Sequence, residues 1–485
     1  MKITNNPGPK PVFWGAKIPR VSMPCQPASE RVCNFSEVAL GYTLEQAQAE
    51  ASRCLQCKKP FCISGCPVEV EIKDFIAAIA HGNLEEAYRI IRDTNSLPAV
   101  CGRVCPQETQ CEGECILARK GEPVAIGRLE RFVADHYIAA NPCEQLTGGD
   151  ACVLPASAFK KAPRVACIGS GPASLTCAGY LATRGAKVTI FEALHEPGGV
   201  LVYGIPEFRL PKSIVAEELG ALAQLGVEFR NNWVGGRTFS VQELLAEGYQ
   251  AVFIGVGAGL PIFLNLAGEN LIGVFSANEY LTRVNLGRSY DFPNFDTPSF
   301  RGNKVTVFGA GNVAMDAART ALRMGSESVS IVYRRTRNEI PARLEELEHA
   351  EEEGVKLELL AAPLRFIGNE EKRLVGVELQ KMQLGEPDES GRCSVTPIAN
   401  SNYILDTDLA VIAVGTRSNP ILLEATPGLE LNPRGYIAVN DTFETSIPNV
   451  FAGGDTVTGS ATVILAMGAG RSAAKEIARR LLGEE

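Results

Sequence analysis

The sequence has few histidines and no excess of positive charge. Its four histidines form no cluster, so a histidine-rich metal site is not expected. The formal net charge of −9 disfavours nucleic acid and anionic membranes as main partners. No run of about eighteen apolar residues occurs, so no segment is predicted to span a membrane. The N-terminus lacks the apolar core and small-residue cleavage site of a secretory signal, and we expect a cytoplasmic protein.

Cysteine, in contrast, is abundant: the chain has fifteen, and eight of them fall between positions 54 and 115. Disulfide frameworks are typical of small secreted proteins, so clustered thiols here indicate metal. The first array is C-x2-C-x4-C-x3-C-P and the second is C-x3-C-P-x4-C-x3-C. Cysteine followed by proline at the end of a closely spaced run is typical of ferredoxin-type ligation. Spacing alone assigns eight cysteines, Cys101 included, to two four-iron clusters. Structural zinc is the alternative.

The order of predicted elements divides the chain. Apolar residues at three- and four-residue spacing over 72–93 predict helix, and we assign 1–150 to an α-helical domain ending in a linker at 141–163. The segment 164–193 then reads as strand, glycine-rich turn, helix and strand, and 304–335 repeats that order. We predict an α/β fold in which a helical iron–sulfur domain precedes two Rossmann-like dinucleotide-binding domains.

The first Rossmann-like unit has a complete set of dinucleotide signals. Gly169, Gly171 and Ser174 fill the G-x-G-x-x-G frame, with serine where glycine or alanine is usual. Serine is small enough for close packing of helix on strand. Glu192 ends the next strand, where an acid is expected to bind the ribose hydroxyls. These residues predict a nucleotide site.

The second unit differs at the end of its second strand. We assign its dinucleotide contacts to Gly309, Gly311, Asn312, Val313, Arg334 and Arg335. The strand offers the two arginines instead of an acid, and arginine pairs with a 2′-phosphate that a carboxylate would repel. The unit is therefore predicted to bind NADP(H) rather than NAD(H). The alternative is that both arginines are surface residues beside an NAD site.

The flavin is assigned to the first unit because of the segment 447–480. There a strand runs into Gly454 and Asp455, and a long helix begins near Ala461. Asp455 can bind a ribityl hydroxyl, and the helix N-terminus can face the electron-rich end of the isoalloxazine. The segment resembles the second FAD motif of flavoproteins with two dinucleotide-binding domains. We assign flavin contacts to Gly199, Gly454, Asp455, Thr462 and Val463.

The resemblance to those flavoproteins extends to two strands, at 251–259 and 409–420, which look like the segments that cross between the two domains. It implies an FAD domain made of 160–284 and 406–485. The NADP(H) domain, 285–405, would then be inserted into the FAD domain.

Six motifs occur together in this chain: CLQCKKPFCISGCP, CGRVCPQETQC, GSGPAS, YGIPEFRLPK, GAGNVAMD and YRR. With them, about nine-tenths of the chain resembles the glutamate synthase small-subunit family. That family includes the large subunit of NADH-dependent ferredoxin:NADP+ oxidoreductase, and the N-terminal half of dihydropyrimidine dehydrogenase is related to it.

The resemblance implies cluster ligands by position. One cluster would take Cys54, Cys57, Cys62 and Cys115. The other would take Cys66, Cys105, Cys111 and Glu130. A hard oxygen ligand such as Glu130 would alter the potential of its cluster. Cys101 then becomes a neighbour of the second cluster and not a ligand.

The resemblance also implies an oxidoreductase with FAD, two [4Fe-4S] clusters and NADP(H). Flavin supplies the hydride chemistry, so we predict no catalytic side chain. The form CKKPFCISGCPVEVEIKDFI resembles the ferredoxin:NADP+ oxidoreductase branch of the family, which implies electron exchange with ferredoxin or a second flavin-bearing subunit, with electron bifurcation left open. The alternative is the small subunit of NADPH-dependent glutamate synthase, which feeds a glutamate-forming large subunit. Sulfide or polysulfide reduction, and a non-catalytic relay or scaffold, also stay open. In each case we expect a hetero-oligomer.

Overall fold

The computed structural model describes residues 14–142, 162–387 and 393–483. Its first part is helical: α1 (Ala28–Arg31), α2 (Leu44–Ser52), α3 (Phe61–Ser64), α4 (Ile72–Ala80), α5 (Leu84–Arg92), α6 (Pro98–Val104) and α7 (Ile126–Ala140). Two short 3-10 helices lie at Gln107–Thr109 and Ile116–Arg119. The helix predicted over 72–93 is confirmed as a pair, α4 and α5. Helix α4 buries Ile72, Ile76 and Ile79, spaced as one face of a helix requires. Most of the predicted linker lies outside the described residues.

From residue 162 on, strands and helices alternate. In chain order they are β1 (Arg164–Ile168), α8 (Pro172–Ala182), β2 (Lys187–Phe191), α9 (Val200–Tyr203), α10 (Lys212–Gln224), β3 (Glu228–Arg230), α11 (Val241–Ala246), β4 (Ala251–Ile254), β5 (Leu260–Pro261), β6 (Val274–Ser276), α12 (Ala277–Asn285), β7 (Lys304–Phe308), α13 (Asn312–Arg323), β8 (Ser328–Tyr333), α14 (Leu344–Glu352), β9 (Lys356–Leu359), β10 (Ala361–Gly368), β11 (Leu374–Pro387), β12 (Cys393–Pro397), β13 (Tyr403–Asp406), β14 (Leu409–Ile412), β15 (Thr416–Arg417), α15 (Pro420–Glu424), β16 (Val450–Ala452), α16 (Asp455–Thr458) and α17 (Val463–Leu482).

Two parallel sheets form the framework of this part. The first has the strand order β16-β4-β1-β2-β3, so a strand from far along the chain pairs with β4. The second has the order β6-β14-β7-β8-β9. Both sheets are parallel and their central strands are buried, as expected when helices cover both faces. The predicted pair of Rossmann-like units, one inserted into the other, is confirmed.

The limits of the inserted unit differ from the predicted 285–405. Strands β6 and β14 both lie beyond those limits, and both pair within the second sheet. The chain crosses between the units where β5 and β15 pair antiparallel, directly after β4 and β14. We therefore propose limits of about 274–412 for the inserted unit, because the sheet is complete only with its two outer strands.

A separate antiparallel sheet follows β9. Strand β11 pairs with β10, β12 and β13, and this sheet was not predicted from the sequence. Its buried residues Phe366 and Val377 form a small core with Phe308 of the second sheet. The antiparallel sheet thus extends the inserted unit without contributing to the first one.

Helix α17 connects the first sheet to the helical region, because it packs on α8 and also contacts α6. Buried residues of the helical region and of the first Rossmann-like unit belong to one continuous hydrophobic core. No helix within the described ranges is long and apolar enough to cross a membrane.

Candidate functional site

Four cysteines line one cavity in the helical region, and we call them the outer cysteine group: Cys54, Cys57, Cys62 and Cys115. All four thiols are free of disulfides. Much of the remaining wall is apolar and includes Ile76 and Val124. Soft sulfur ligands around an apolar cavity suit an iron–sulfur cluster. The structure thus brings together the four residues that the family resemblance assigned to one cluster.

Two thiols of the outer cysteine group, those of Cys54 and Cys62, resist ionisation without metal. Burial, and then the neighbouring thiols, raise the pKa of Cys62 to about 12. Burial also raises the pKa of Cys54. Metal ligands are thiolates, so ionised sulfur here needs the positive charge of bound metal. Within the described ranges, no three His, Cys, Asp or Glu side chains lie close enough to hold one metal ion.

A second set of ligand-type side chains lies beside α7, and we call it the inner cysteine group: Cys66, Cys105, Cys111 and Glu130. Burial, and then charges that include Glu130, raise the pKa of Cys66 to about 11 and raise that of Cys111. A hydrogen bond with Cys101 lowers the pKa of Cys105, but burial and the charge of Glu130 raise that pKa, and the overall shift is upward. The three thiols therefore all lie within range of the Glu130 charge.

The side chain of Asn95 hydrogen-bonds both Glu130 and Cys101. Its Nδ2 donates to Oε1 of Glu130 at 2.7 Å, and its Oδ1 accepts from the Cys101 thiol at 3.6 Å. Cys101 Sγ also lies 3.5 Å from Met467 Sδ. In the described part of the chain, Oε2 of Glu130 accepts no hydrogen bond. Burial raises the pKa of Glu130 to about 8, despite the Asn95 hydrogen bond. One carboxylate oxygen is therefore left for another partner.

The first glycine-rich turn joins β1 to α8. Gly169 has φ +90°, and a Cβ there would lie 2.6 Å from the Gly255 carbonyl oxygen, so only glycine fits. Gly171 is the N-cap of α8. Ser174 is fully buried on that helix, and its Oγ has no hydrogen-bond partner. Glu192 follows β2, and its Oε2 accepts from the backbone N of Ser170 at 2.9 Å. A helix N-terminus beside a buried acid suits a dinucleotide.

The loop before α9 and the C-terminal elements both pack against this turn. A Cβ on Gly199 would lie 2.9 Å from Gly171 Cα, and one on Gly454 would lie 3.1 Å from Ala173 Cβ. Asp455 opens α16 and accepts from the Ala461 backbone N at 3.2 Å. Its pKa is raised to about 6, mainly by burial. Thr462 is the N-cap of α17, and Val463 is the first residue of that helix. Both follow α16 closely in the sequence.

Tyr203 belongs to the same site, although the sequence did not single it out. Burial, and then the charges of Asp455 and Glu192, raise the pKa of Tyr203 to about 12. Its phenol therefore lies within range of the charges of both predicted flavin-binding acids. Only the position of Tyr203 in the YGIPEFRLPK motif hinted at this. Tyr203 is thus a further candidate beside the residues assigned to FAD.

The second glycine-rich turn joins β7 to α13. Gly309 has φ +123° and lies against the Ala413 carbonyl, where a Cβ would not fit. A Cβ on Gly311, the N-cap of α13, would meet no atom within 4 Å. Asn312 opens the helix, and its Oδ1 accepts from the Arg343 backbone N at 2.9 Å. Val313 is 44% exposed. The N-terminus of α13 therefore faces open space in which a phosphate can bind.

The two arginines after β8 lie in different environments. Arg334 is exposed and, in the described part of the chain, forms no hydrogen bond or ion pair. Arg335 is buried, and its Nε donates to the Cys393 carbonyl oxygen at 3.0 Å. Strand β8 ends at Tyr333 and the chain bends at both arginines, so that Arg334 faces solvent and Arg335 packs inward. The guanidinium of Arg334 is therefore open to a phosphate.

Comparison with known proteins identifies the family. Residues 31–142 match the family described as dihydropyrimidine dehydrogenase domain II, 4Fe-4S cluster, and residues 163–470 match the pyridine nucleotide-disulphide oxidoreductase family. These matches confirm the predicted oxidoreductase and its cofactor classes: a four-iron cluster, FAD and NADP. The number of clusters stays a prediction.

Curated relatives and a solved structure agree with the family matches. A glutamate synthase [NADPH] small chain from Escherichia coli is 34% identical over 475 residues, which cover 96% of this chain and 98% of that protein. A formate dehydrogenase beta subunit from Moorella thermoacetica, named as NADP(+)-dependent, is 39% identical, covering 86% of this chain and 60% of that protein. Mycobacterium tuberculosis FprA in complex with NADPH shares the fold, with TM-score 0.56 and 21% identity over 67% of this chain and 85% of that one.

A glutamate synthase [NADPH] small chain from Halomonas elongata is also similar, with 36% identity over 93% of this chain and 94% of that protein. Several of these relatives are named as chains or subunits of larger enzymes. Their identity and coverage, together with the two family matches, settle the classification. The chain belongs to the pyridine nucleotide-disulphide oxidoreductase family and, within it, to the glutamate synthase small-chain type of flavin and iron–sulfur oxidoreductase.

Proposed function

We propose that this chain oxidises NADPH at bound FAD and passes the electrons singly, through two four-iron clusters, to a partner protein. FAD supplies the conversion between a hydride pair and single electrons, and iron–sulfur clusters carry one electron each. The chain's own residues bind, orient and shield these groups. The observation that carries the proposal is the packing of the flavin-site helix α17 against Pro67 and Cys101, which adjoin the inner cysteine group.

Helix α17 begins at the proposed flavin site and, one to two turns later, packs against residues that adjoin the inner cysteine group. A Cβ on Gly468 would lie 2.8 Å from the carbonyl oxygen of Pro67, the residue after Cys66. One residue earlier, Met467 Sδ contacts Cys101 Sγ. Such packing excludes water from the space between the flavin site and the inner cysteine group. It supports the order flavin, inner group, outer group.

The outer cysteine group lies at the protein surface. Leu55 and Phe61 line its cavity and are 43% and 45% exposed. Lys58 and Lys59 lie between them in sequence, are exposed, and form no ion pair in the described part of the chain. An apolar rim with two free positive charges, on a chain of net charge −9, suits an acidic redox partner. We propose that electrons leave here.

Two partner classes follow from the comparisons and the motifs. End-to-end similarity to glutamate synthase small chains supports a glutamate-forming large chain as partner. The apolar rim of the outer cavity, with its two free lysines, supports ferredoxin or a second flavin-bearing subunit as the partner. Electron bifurcation at the flavin would require the second flavin-bearing subunit. In both cases the chain is the NADPH-oxidising subunit of a hetero-oligomer.

Anaerobic titration of the isolated chain with NADPH tests the proposal. We expect the flavin absorbance to bleach, because the residues assigned to both nucleotide sites belong to this chain. Two additions to the reduced protein are then compared: oxidised ferredoxin, and a glutamate synthase large chain with glutamine and 2-oxoglutarate. Only the addition that contains the true partner should reoxidise the flavin. A chain that retains FAD and is not bleached by NADPH would instead be a relay or scaffold.

A pair of variants tests the inner ligands. Glu130→Ala is expected to lose up to about four irons per chain and to change the EPR spectrum of the reduced protein, because a ligand oxygen is removed. Cys101→Ala is the matched control, since Cys101 is already engaged by Asn95 and Met467. Iron analysis and EPR provide the measurement. Unchanged spectra in Glu130→Ala together with iron loss in Cys101→Ala would reverse the assignment.

A further inference from the structure

Two of the sequence motifs meet in a buried ion pair that the electron path does not explain. Arg209 belongs to YGIPEFRLPK in the first Rossmann-like unit, and Asp316 belongs to GAGNVAMD in the inserted one. Nη1 of Arg209 donates to both carboxylate oxygens of Asp316, at 2.7 and 2.8 Å. Both side chains are buried. The pair therefore joins the two nucleotide-binding units directly.

The pair has support on both sides. Nε of Arg209 lies 3.0 Å from Oε1 of Glu346 in α14. Burial lowers the pKa of Arg209, but the carboxylates of Asp316 and Glu346 raise that pKa by more, so the guanidinium stays charged. Phe208, the residue before it, lies under the guanidinium groups of Arg319 and Arg323, at 4.8 and 3.9 Å. Arg209 is thus held in one orientation.

The positions of both residues relate to the nucleotide sites. Asp316 lies one helical turn after Asn312, which opens α13 at the proposed NADP(H) site. Arg209 lies six residues after Tyr203, at the proposed flavin site. A second contact runs parallel to the pair: Nδ2 of Asn285 donates to the carbonyl oxygens of Tyr203 and Gly204, at 3.3 and 3.1 Å. The segment after α9 therefore touches the inserted unit on α12 and α13.

A buried ion pair contributes little to stability compared with apolar residues of similar size, because both charges lose their hydration. Its contribution is to geometry, since a charge pair in apolar surroundings tolerates few arrangements. Here the geometry that it fixes is the placement of the NADP(H)-binding helix relative to the flavin-pocket segment. Hydride transfer depends steeply on that placement.

We propose that Arg209 is a positioning residue for hydride transfer: by holding Asp316, it sets the NADP(H)-binding helix α13 against the flavin-pocket segment. Arg209 does not touch the reacting atoms in this role. The inference rests on the proposed oxidation of NADPH at FAD. It adds that one charge pair aligns the two nucleotide-binding units. Loss of this pair should therefore slow hydride transfer without weakening nucleotide binding.

Stopped-flow reduction of the flavin by NADPH tests this in Arg209→Met and in the double variant Arg209→Met/Asp316→Leu. We expect the limiting rate of flavin reduction to fall about 10- to 100-fold. FAD content, iron content and the dissociation constant for NADP+ should stay near those of the unchanged protein. The double variant leaves no unpaired Asp316 carboxylate, so it is expected to keep the melting temperature while still losing rate. Arg209→Lys should recover part of the rate.

Arg480→Met is the matched control, because Arg480 pairs with Glu444 and Glu476 inside the first unit. Its limiting rate should be unchanged. A folded Arg209→Met protein that reduces its flavin at the full rate would overturn the inference, as would a rate loss explained by weaker NADP+ binding or lost FAD. If the unchanged protein is itself not reduced by NADPH, the proposed function fails instead, so the two failures are distinguishable.

Discussion

The Cys115→Ala variant is expected to lack about four iron atoms per chain and to deliver no electrons to a protein acceptor, while NADPH still bleaches its flavin. Cys115 lies far along the chain from the other three members of the outer cysteine group, yet lines the same cavity. Three thiolates leave one iron of a four-iron cluster without a protein ligand. The flavin site lies in the Rossmann-like unit and does not depend on Cys115.

Three measurements separate these effects: iron content, anaerobic bleaching by NADPH, and the rate at which ferredoxin or another protein acceptor is reduced. Cys33→Ala is the matched control, because Cys33 is exposed and, among the described residues, its thiol hydrogen-bonds only the Ser29 carbonyl oxygen, at 3.8 Å. That variant should keep all its iron. Unchanged iron content in Cys115→Ala, or zinc in place of iron in the unchanged protein, would contradict the assignment of the outer cysteine group.

The second large effect is expected at Arg334. Arg334→Ala should raise the KM for NADPH about 10- to 100-fold and leave the KM for NADH nearly unchanged, because a charge-assisted bond to the 2′-phosphate contributes about 1.5–3 kcal/mol. Arg334 is exposed after β8 and has no partner in the described part of the chain, so its guanidinium is available to that phosphate. Steady-state kinetics with both nucleotides provide the measurement.

Two neighbouring arginines sharpen the test of nucleotide selectivity. Arg337→Ala is the surface control: Arg337 is exposed and pairs with Glu351, at 2.7 Å, so its loss should not change selectivity. Arg335→Ala should lower the melting temperature without changing selectivity, because the buried Arg335 holds the Cys393 carbonyl. Equal losses with NADPH and NADH in Arg334→Ala would show that Arg334 does not recognise the 2′-phosphate.

The sequence was sufficient to predict both Rossmann-like units, because glycine spacing, strand and helix are all local signals. It was not sufficient to assign β14 to its sheet. LAVIAV is a short apolar run that fits a buried parallel strand of either unit equally well, and only its pairing with β6 and β7 decides. The antiparallel sheet around β11 was missed because its long strands interrupt the repeating order on which the prediction was based.

Prediction of the candidate sites was limited in a similar way. Spacing alone grouped the cysteines by neighbourhood along the chain and included Cys101, whereas the fold brings Cys115 back to the first array. The resemblance to a known family, and not the spacing, supplied that assignment. The unequal environments of Arg334 and Arg335 depend on the bend that follows β8, which the sequence pattern does not predict. Tyr203 and the Arg209–Asp316 pair depend on tertiary contacts.

The edge strand β16 has a consequence for how the protein is made. Domains that are continuous in sequence fold as they leave the ribosome, N-terminal first. The helical region is continuous in sequence, but its core is shared with the first Rossmann-like unit, and the first sheet waits for Val450–Ala452 and the helix after them. The cysteines of both groups are thus synthesised long before the flavin fold can be completed. A ribosome that stalls within the inserted unit would leave a chain that has these cysteines but lacks the edge strand β16 and helix α17.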